Sequence, residues 1–386
     1  MSHAVRLTAA LSLILLAACS RPPEAPHLEL ERTSFADLAG WRDDDQSKAL
    51  GAFRRSCVAF AAMADDTSIG HFGGSAGDWR AVCDGAVTVD AGAARAFFEA
   101  GFTLFRASDR GNPEGLFTGY YEPLLHGARQ EGGAFTVPLH GRPAGLVNVD
   151  LGRFADDLEG RKLVGQVAGG AVVPLPDRRE IVAGALDGGA PVIAWVDDLV
   201  DAFFLQVQGS GRVALADGGV LRVGYDGANG HGYTSIGKLL IERGEIARAD
   251  VSLQSLRAWL AGHPDQAADL LAENRSYVFF RALQGDGPVG AQGVALTPRR
   301  SLAVDRRYLP LGVPVWLDIL APALGGSDRP VRRLVIAQDT GGAIRGPVRG
   351  DVFWGFGPEA EYVAGQMKHR GEYYLLLPNS VAERLP

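Results

Sequence analysis

Two segments of this 386-residue chain hold residue types in an order that could do chemistry. The first is Ala337-Gln-Asp-Thr-Gly-Gly-Ala-Ile-Arg-Gly-Pro-Val-Arg-Gly-Asp-Val-Phe-Trp354. Here an apolar strand, Leu334 to Ala337, delivers Asp339 into a glycine-rich loop, which returns into Asp351 and the aromatic strand Val352-Phe-Trp. Carboxylates at the ends of two strands joined by such a loop can come close in space. Crowded or apolar surroundings raise a carboxyl pKa, which a general acid needs; Arg345 and Arg349 act in the opposite direction. The plainer alternative is a pair of loop carboxylates capping turns. The second segment is Asp201-Ala-Phe-Phe-Leu-Gln-Val-Gln-Gly-Ser-Gly-Arg212. Its alternation predicts a strand with Phe204, Gln206 and Gln208 on one face and Phe203, Leu205 and Val207 on the other. The Gly209-Ser210-Gly211 that follows lets a ligand approach the backbone. Amides beside aromatics suit sugars, whose hydroxyls need donors and acceptors and whose ring faces stack. The alternative is a strand ending in an ordinary turn.

The elements that must position these segments are mostly short strands. Asp78 to about Phe105 has helical apolar spacing. From Gly115 the pattern turns to strands bounded by Gly and Pro: Phe117-Thr-Gly-Tyr-Tyr-Glu-Pro, Phe135 to Leu139, Pro191 to Val196, Ala202 to Gln208 and Val220 to Tyr225. This stretch reads as an antiparallel β domain, a small barrel. Thr234 to Gly244 reads as a capped helix, and Val251 to Leu271 as short helices split at His263-Pro264. A second β-rich run extends from Tyr277 to Leu377, with strands at Val313, Arg333 and Tyr373.

Lys and Arg number 38 against 45 Asp and Glu, a net charge of −7. That balance argues against nucleic acid as a partner. The N-terminus gives an address. Arg6 precedes an apolar run, Leu7 to Ala18, too short for a permanent span, which reads as a signal-peptide core. It ends in Leu16-Ala17-Ala18-Cys19, small residues before a cysteine that resemble a lipobox, with Cys19 as the lipidated residue. Ser20, not Asp, follows, which points to the periplasmic face of the outer membrane. Residues 20–45 read as a tether. Cys57 and Cys83 then remain, an even pair in an oxidising compartment, and either a disulfide or two buried thiols fits. The histidines form no metal motif. Neither a metal nor a cofactor is expected.

The chain resembles the MltA-type membrane-bound lytic murein transglycosylases. The resemblance lies in Phe117 to Pro123, Phe203 to Gly211, Gly224-Tyr-Asp-Gly-Ala-Asn-Gly-His-Gly-Tyr-Thr-Ser-Ile-Gly237, Leu309-Pro-Leu-Gly-Val-Pro-Val315 and Ala337 to Trp354, in the family's order. The C-terminal part, about 285–378, resembles the three-aspartate (3D) domain, whose aspartates fall on Asp305, Asp339 and Asp351. The resemblance implies a mainly β protein with a few helices. A double-psi β-barrel from residues 46–120 and 233–386 would carry a smaller barrel-like β domain, 121–232, with a glycan groove between them. It also implies cleavage of the β-1,4 bond between N-acetylmuramic acid and N-acetylglucosamine in peptidoglycan, leaving 1,6-anhydromuramic ends without consuming water.

A hydrolase generally needs two working carboxylates. Here the muramic C6 hydroxyl is the nucleophile, so one carboxyl can serve as acid and then base. By motif position that residue is Asp351, with Asp339 as its partner and Asp305 as a structural or supporting residue. Thr118, Tyr120, Tyr121, Gln208, Ser210 and Asn229 are the expected glycan contacts, although alternation lets only one of the two tyrosines face the groove. Glu122, beside Pro123, reads as an exposed turn or linker residue. Trp354 and Phe356 either line the groove or pack beneath it. Partners beyond glycan and the lipid anchor would be other cell-wall synthesis or division proteins. Two rival functions stay open: peptidoglycan hydrolysis by the aspartate pair, and a non-catalytic, expansin-like cell-wall binding lipoprotein.

Overall fold

The computed structural model describes residues 25–285 and 287–385. Cys19 and the signal segment lie outside them. In chain order the elements are β1 (Leu28–Thr33), α1 (Gln46–Ala61), α2 (Ala76–Thr88), α3 (Ala94–Gly101), β2 (Phe102–Asp109) and β3 (Gly115–Glu122). There follow β4 (Leu124–Ala128), β5 (Val137–His140), β6 (Leu146–Asp150), β7 (Lys162–Ala168), β8 (Ala171–Val173), α4 (Arg178–Val182), β9 (Val192–Val196), α5 (Leu199–Gln208), β10 (Ser210–Leu215) and β11 (Val220–Ala228). The remainder is α6 (Ile236–Glu242), α7 (Leu253–Gly262), α8 (Pro264–Ala272), β12 (Val278–Ala282), β13 (Ser301–Val304), β14 (Pro314–Ala321), β15 (Arg329–Asp339), β16 (Arg349–Phe356), α9 (Pro358–Gln366), β17 (Lys368–Pro378) and α10 (Asn379–Ala382).

Six strands close into a barrel. The order β17–β14–β15–β13–β16–β3 returns onto β17. β17 can hold three neighbours because it is 11 residues long. Lys368 to Gly371 pair with β3, and Tyr374 to Pro378 pair with β2. Closure leaves the barrel strands without a free edge between them. The interior is apolar, with Val304, Val315, Leu317, Val335, Leu375 and Leu377 all inaccessible to solvent. Helices α1 to α3 pack beside it, and a disulfide between Cys57 and Cys83 joins α1 to α2. Closing that 26-residue separation stabilises the fold by roughly 3 kcal/mol on the chain-entropy model.

A second sheet, in the order β12–β11–β10–β4–β9–β5, is built largely from the chain between β3 and β13. A single bridge between Gly141 and Phe280 joins its two ends. It has its own core, around Leu125, Leu139, Val196, Leu205, Val213, Val223 and Phe280. β6 to β8 form a small separate sheet.

Four expectations change. Residues 28–33 are not tether: they form β1, paired along β2 from Leu28–Asp109 to Thr33–Leu104, and Trp41 is buried. The stretch from Asp78 to Phe105 is not one helix but two, followed at once by the edge of β2. β12, placed by the sequence with the barrel, pairs with β11. Ala202 to Gln208 is not a strand but lies in helix α5. Asp198 caps α5 by accepting from Asp201 N–H at 2.8 Å, and Gly209 ends it with φ +80°. Ala202, Phe203, Phe204, Leu205 and Gln206 are all buried, so the helix is covered nearly all round, and an apolar period of 3.6 never shows.

The C-terminus is fastened by Asp78 on α2. Its carboxylate accepts from Ser75 N–H at 2.9 Å, Arg384 at 2.6 Å and Ser380 at 3.2 Å. Burial pushes this carboxyl up, but the hydrogen bonds, Arg384 foremost, outweigh it and hold it at about 2. That value lies below the roughly 4 of an unfolded aspartate. The resulting stability is present above pH 4 and is lost as pH falls from 4 toward 2. Acid unfolding of the Asp78→Asn variant, followed by circular dichroism, should begin from a lower melting temperature at pH 7. The gap to the unsubstituted protein should close as pH approaches 2.

Candidate active site

The two aspartates of the glycine-rich segment lie in one transverse row across the barrel. β13 runs between β15 and β16, and Ala303 is the register partner of both Asp339 and Asp351. On the far side Asp351 pairs with Thr118 of β3, and Thr118 pairs with Lys368 of β17. In-register residues on neighbouring strands share a face, so both carboxyls are set on one side of a closed barrel by backbone pairing. A register shift at the end of β15 skips Gln338, as a β-bulge does next to many functional sites. Gln338 turns toward α1 and is held by Ser301, Ser56 and the Ala52 carbonyl. Gly119 in β3 allows the close packing: a Cβ there would stand 2.6 Å from Trp354 Nε1.

The carboxyls have unlike surroundings. Asp339 meets three donors beyond its own strand. Its Oδ1 accepts from the N–H groups of Ala291 and Thr340 at 2.9 Å each, and its Oδ2 accepts from the Tyr120 hydroxyl at 2.9 Å. Asp351 has one such partner, the Thr118 hydroxyl at 2.6 Å from Oδ1. Burial pushes both carboxyls above the usual range. For Asp351, Arg349 and Thr118 oppose burial and the charge of Asp339 reinforces it. Three donors favour the ionised form of Asp339. A neighbouring negative charge disfavours a second one, so the charge of Asp339 adds to burial in raising Asp351. Tyr120 stays protonated, because burial, then the charge of Asp339, lifts its phenol well above its usual value.

Asp305 stands apart as a support. Arg307 pairs with it at 2.6 Å, and it accepts from Gly346 N–H at 2.9 Å, which pins the glycine-rich loop. Burial works to raise this carboxyl, yet those hydrogen bonds hold it below the usual range.

The expected glycan contacts separate. Thr118 and Tyr120 face the carboxyls. Tyr121, one residue on, points the other way into the core, 2 % exposed. Gln208, at the end of α5, accepts from Tyr121 N–H at 3.0 Å. It therefore reaches the strand of the site from a helix, not from the expected strand face. Ser210 opens β10 and is buried. Asn229 is not brought to the site. It is 1 % exposed, and its amide is committed to backbone: to the carbonyls of Pro176 and Arg275 at 2.9 and 3.0 Å and to Tyr277 N–H at 2.9 Å. Glu122 is no exposed turn residue. It is 2 % exposed, and each oxygen pairs with an arginine of the second sheet, Arg212 and Arg222, at 3.1 Å. Trp354 is buried, whereas Phe356 is exposed, with the Arg212 guanidinium 4.0 Å from its ring centre. Sequence reasoning missed Ala291, whose N–H reaches Asp339 from outside every motif. It also missed the arginines that answer Glu122, which stand in strands of the second sheet far along the chain.

Residues 116–281 match the family described as the MltA specific insert domain, and residues 300–377 match the 3D domain. The membrane-bound lytic murein transglycosylase A of Escherichia coli strain K12 is 36 % identical over 277 residues, covering 70 % of this chain and 67 % of that protein. The crystal structure of a membrane-bound lytic murein transglycosylase from Agrobacterium tumefaciens superposes with a TM-score of 0.83 at 37 % identity, covering 92 % of this chain and 99 % of that one. This chain belongs to the MltA family. Another MltA structure, from E. coli with bound chitohexaose, covers 85 % of this chain and 90 % of its own at 30 % identity, with a TM-score of 0.63. The MltA insert match, reaching to 281, takes in β12 and agrees with its pairing to β11. The curated MltA relatives are named as membrane-bound. Among the described residues no helix is long and apolar enough to cross a membrane.

An ionisable group raised on folding stabilises the protein below its unfolded pKa, and that contribution is lost as pH rises through the folded one. Asp351 therefore burdens the fold at neutral pH. Asp351→Asn, which keeps an oxygen for Thr118 and stays neutral beside Asp339 at every pH, should raise the melting temperature at pH 7 by a few degrees. The difference should disappear at pH 4 in differential scanning calorimetry.

Proposed function

We propose that this protein is a lytic murein transglycosylase in which Asp351 is the only carboxyl that moves a proton. The observation that carries the reading is the unlike solvation of the pair. Asp339 is provided with three donors and stays an anion, while Asp351 is buried with one hydroxyl and stays an acid. In the reaction the bond between C1 of N-acetylmuramic acid and the O4 of N-acetylglucosamine breaks, and Asp351 gives its proton to that oxygen. The muramic C6 oxygen then bonds to C1, and its proton passes to Asp351, which is left ready for another turn. Water enters neither step. Asp339 and Tyr120 act beside it: the anion favours positive charge at C1 and keeps the Asp351 proton in place.

Glycan enters, on this reading, between the barrel and the second sheet. Gln208 and Ser210 lie at that junction, and Phe356, backed by Arg212, offers an exposed ring face to a sugar. Thr118 and Tyr120 serve the carboxyls instead of holding glycan at a distance. We assign the catalytic role to a body made of residues 46–120 and most of 233–386, and the glycan-holding role to the insert. Cys19 would carry the lipid that fixes the protein to the periplasmic face of the outer membrane.

Purified peptidoglycan digested with the protein, analysed by mass spectrometry, should yield muropeptides lighter by one water than reducing-end products. Asp351→Asn should yield none while still binding glycan, a loss of at least about 100-fold. Reducing ends would make the protein a hydrolase. Binding without products in the unsubstituted, folded protein would make it a cell-wall binding protein.

A further inference from the structure

We propose that Arg349 is a positioning residue that fixes the direction of the Thr118 hydroxyl, and so confines the working proton to one oxygen of Asp351, Oδ2. The inference deepens the reading of Asp351 as the acid and rests on it. A threonine hydroxyl has one proton to donate and lone pairs to accept with, whereas a guanidinium can only donate. Arg349 Nη2 donates to Thr118 Oγ1 at 2.8 Å. The Thr118 proton therefore cannot point at Arg349. It points at Asp351 Oδ1, 2.6 Å away. An oxygen that accepts so short a bond is not the oxygen that carries the acid proton, which leaves Oδ2 to face the leaving group.

The guanidinium is itself held in place. Its other arm, Nη1, donates to the Gly350 carbonyl and to the Leu116 carbonyl at 3.3 Å. The first of these bonds stays within β16, and the second ties β16 to β3 two residues before Thr118. Arg349 is 9 % exposed, and among the described residues no carboxylate lies within ion-pair distance of it. Burial pushes its guanidinium below its usual range, and the charge of Asp351, from beyond ion-pair distance, opposes that. Its contacts are two backbone carbonyls and one hydroxyl, and that hydroxyl belongs to the acid. The charged and titratable groups facing Asp351 are Arg349, Asp339 and Tyr120. Lys368, the register partner of Thr118 on β17, turns its ammonium to the carbonyls of Arg248, Ala249 and Val251.

The test uses the full chain on soluble glycan strands. It measures kcat, KM, the pH profile of kcat and the melting temperature for Arg349→Gln, Arg349→Lys, Thr118→Val, Thr118→Ser and the Arg349→Gln/Thr118→Val pair, with Asp351→Asn as reference. Arg349→Gln and Thr118→Val should each lower kcat by about 10- to 100-fold with KM unchanged. The double variant should be no worse than the weaker single one, since both remove one unit. Arg349→Gln also removes the positive charge beside Asp351, so the alkaline limb of kcat should move to higher pH. Arg349→Lys should leave the limb in place and recover part of kcat, and Thr118→Ser should recover nearly all. A purely structural arginine would instead lower the melting temperature while kcat per folded molecule and the pH limb stayed put, and that result overturns the proposal. So does an additive double variant. If Asp351→Asn still turns over, the acid assignment fails and the relay with it. If Asp351→Asn is inactive and Arg349→Gln matches the unsubstituted protein, the relay alone fails.

Discussion

The site depends on one constraint: strand β13 carries Ala303 between two aspartates in a barrel that is closed. In an open sheet a slip of one residue would turn Asp339 or Asp351 to the opposite face. Here β15, β13, β16, β3 and β17 are locked to one another around the ring, so no strand can slip without its neighbours. The row from Asp339 through Ala303 and Asp351 to Thr118 is thus a property of the whole barrel, not of the loop that joins the carboxyls. That loop can be rich in glycine because it need not hold the geometry. Asp305 and Arg307 have only to keep it out of the way.

Electrostatic asymmetry follows from where the donors sit. Asp339 ends β15, so the backbone beyond it is free to turn an N–H back from Thr340, and the neighbouring loop adds Ala291. Asp351 lies within β16, where the backbone N–H groups serve strand pairing, and among the described residues its carboxyl accepts from one side chain, Thr118 of β3. Position along a strand therefore separates the surroundings of the two carboxyls before any difference in residue type. Burial raises both aspartates, and the difference in supply leaves Asp339 with more donors to oppose it than Asp351 has.

The meeting of the two carboxyls was legible in the sequence because it rests on contiguous signals. Asp339 ends the strand before a glycine-rich run, as the sequence placed it, and Asp351 lies just inside the strand after it. The turn at His263-Pro264 and the cap at Ser235 were equally visible. What was not legible depended on partners distant in sequence. Asn229 looked like a ligand-binding amide, because nothing local shows that Pro176, Arg275 and Tyr277 will claim it. Glu122 looked exposed because its arginines lie 90 and 100 residues away. Helix α5 was misread for a different reason. Burial on nearly every side erases the helical period and leaves an accidental alternation of Phe, Gln and Val. Its caps, Asp198 and Gly209, were in plain view and should outrank periodicity wherever a segment is packed between two bodies.

The same long-range pairings explain how an insert can serve a site it does not contain. β3, the strand that holds Thr118 and Tyr120, leaves the barrel at its last residue, Glu122, and the second sheet takes the chain up at Leu124. Glu122 anchors that crossing by accepting Arg212 and Arg222 from strands β10 and β11. Arg212 lies in turn over Phe356, at the end of the strand that carries Asp351. The insert is thus fastened to both strands that present the acid and its hydroxyl partner, within a few residues of each. A buried carboxylate shared between two arginines loses several kcal/mol if either side is removed, so a substitution at this knot would be felt as misplacement of the insert against the carboxyl row. The second sheet and the carboxyl row of the barrel are therefore joined through the ends of β3 and β16.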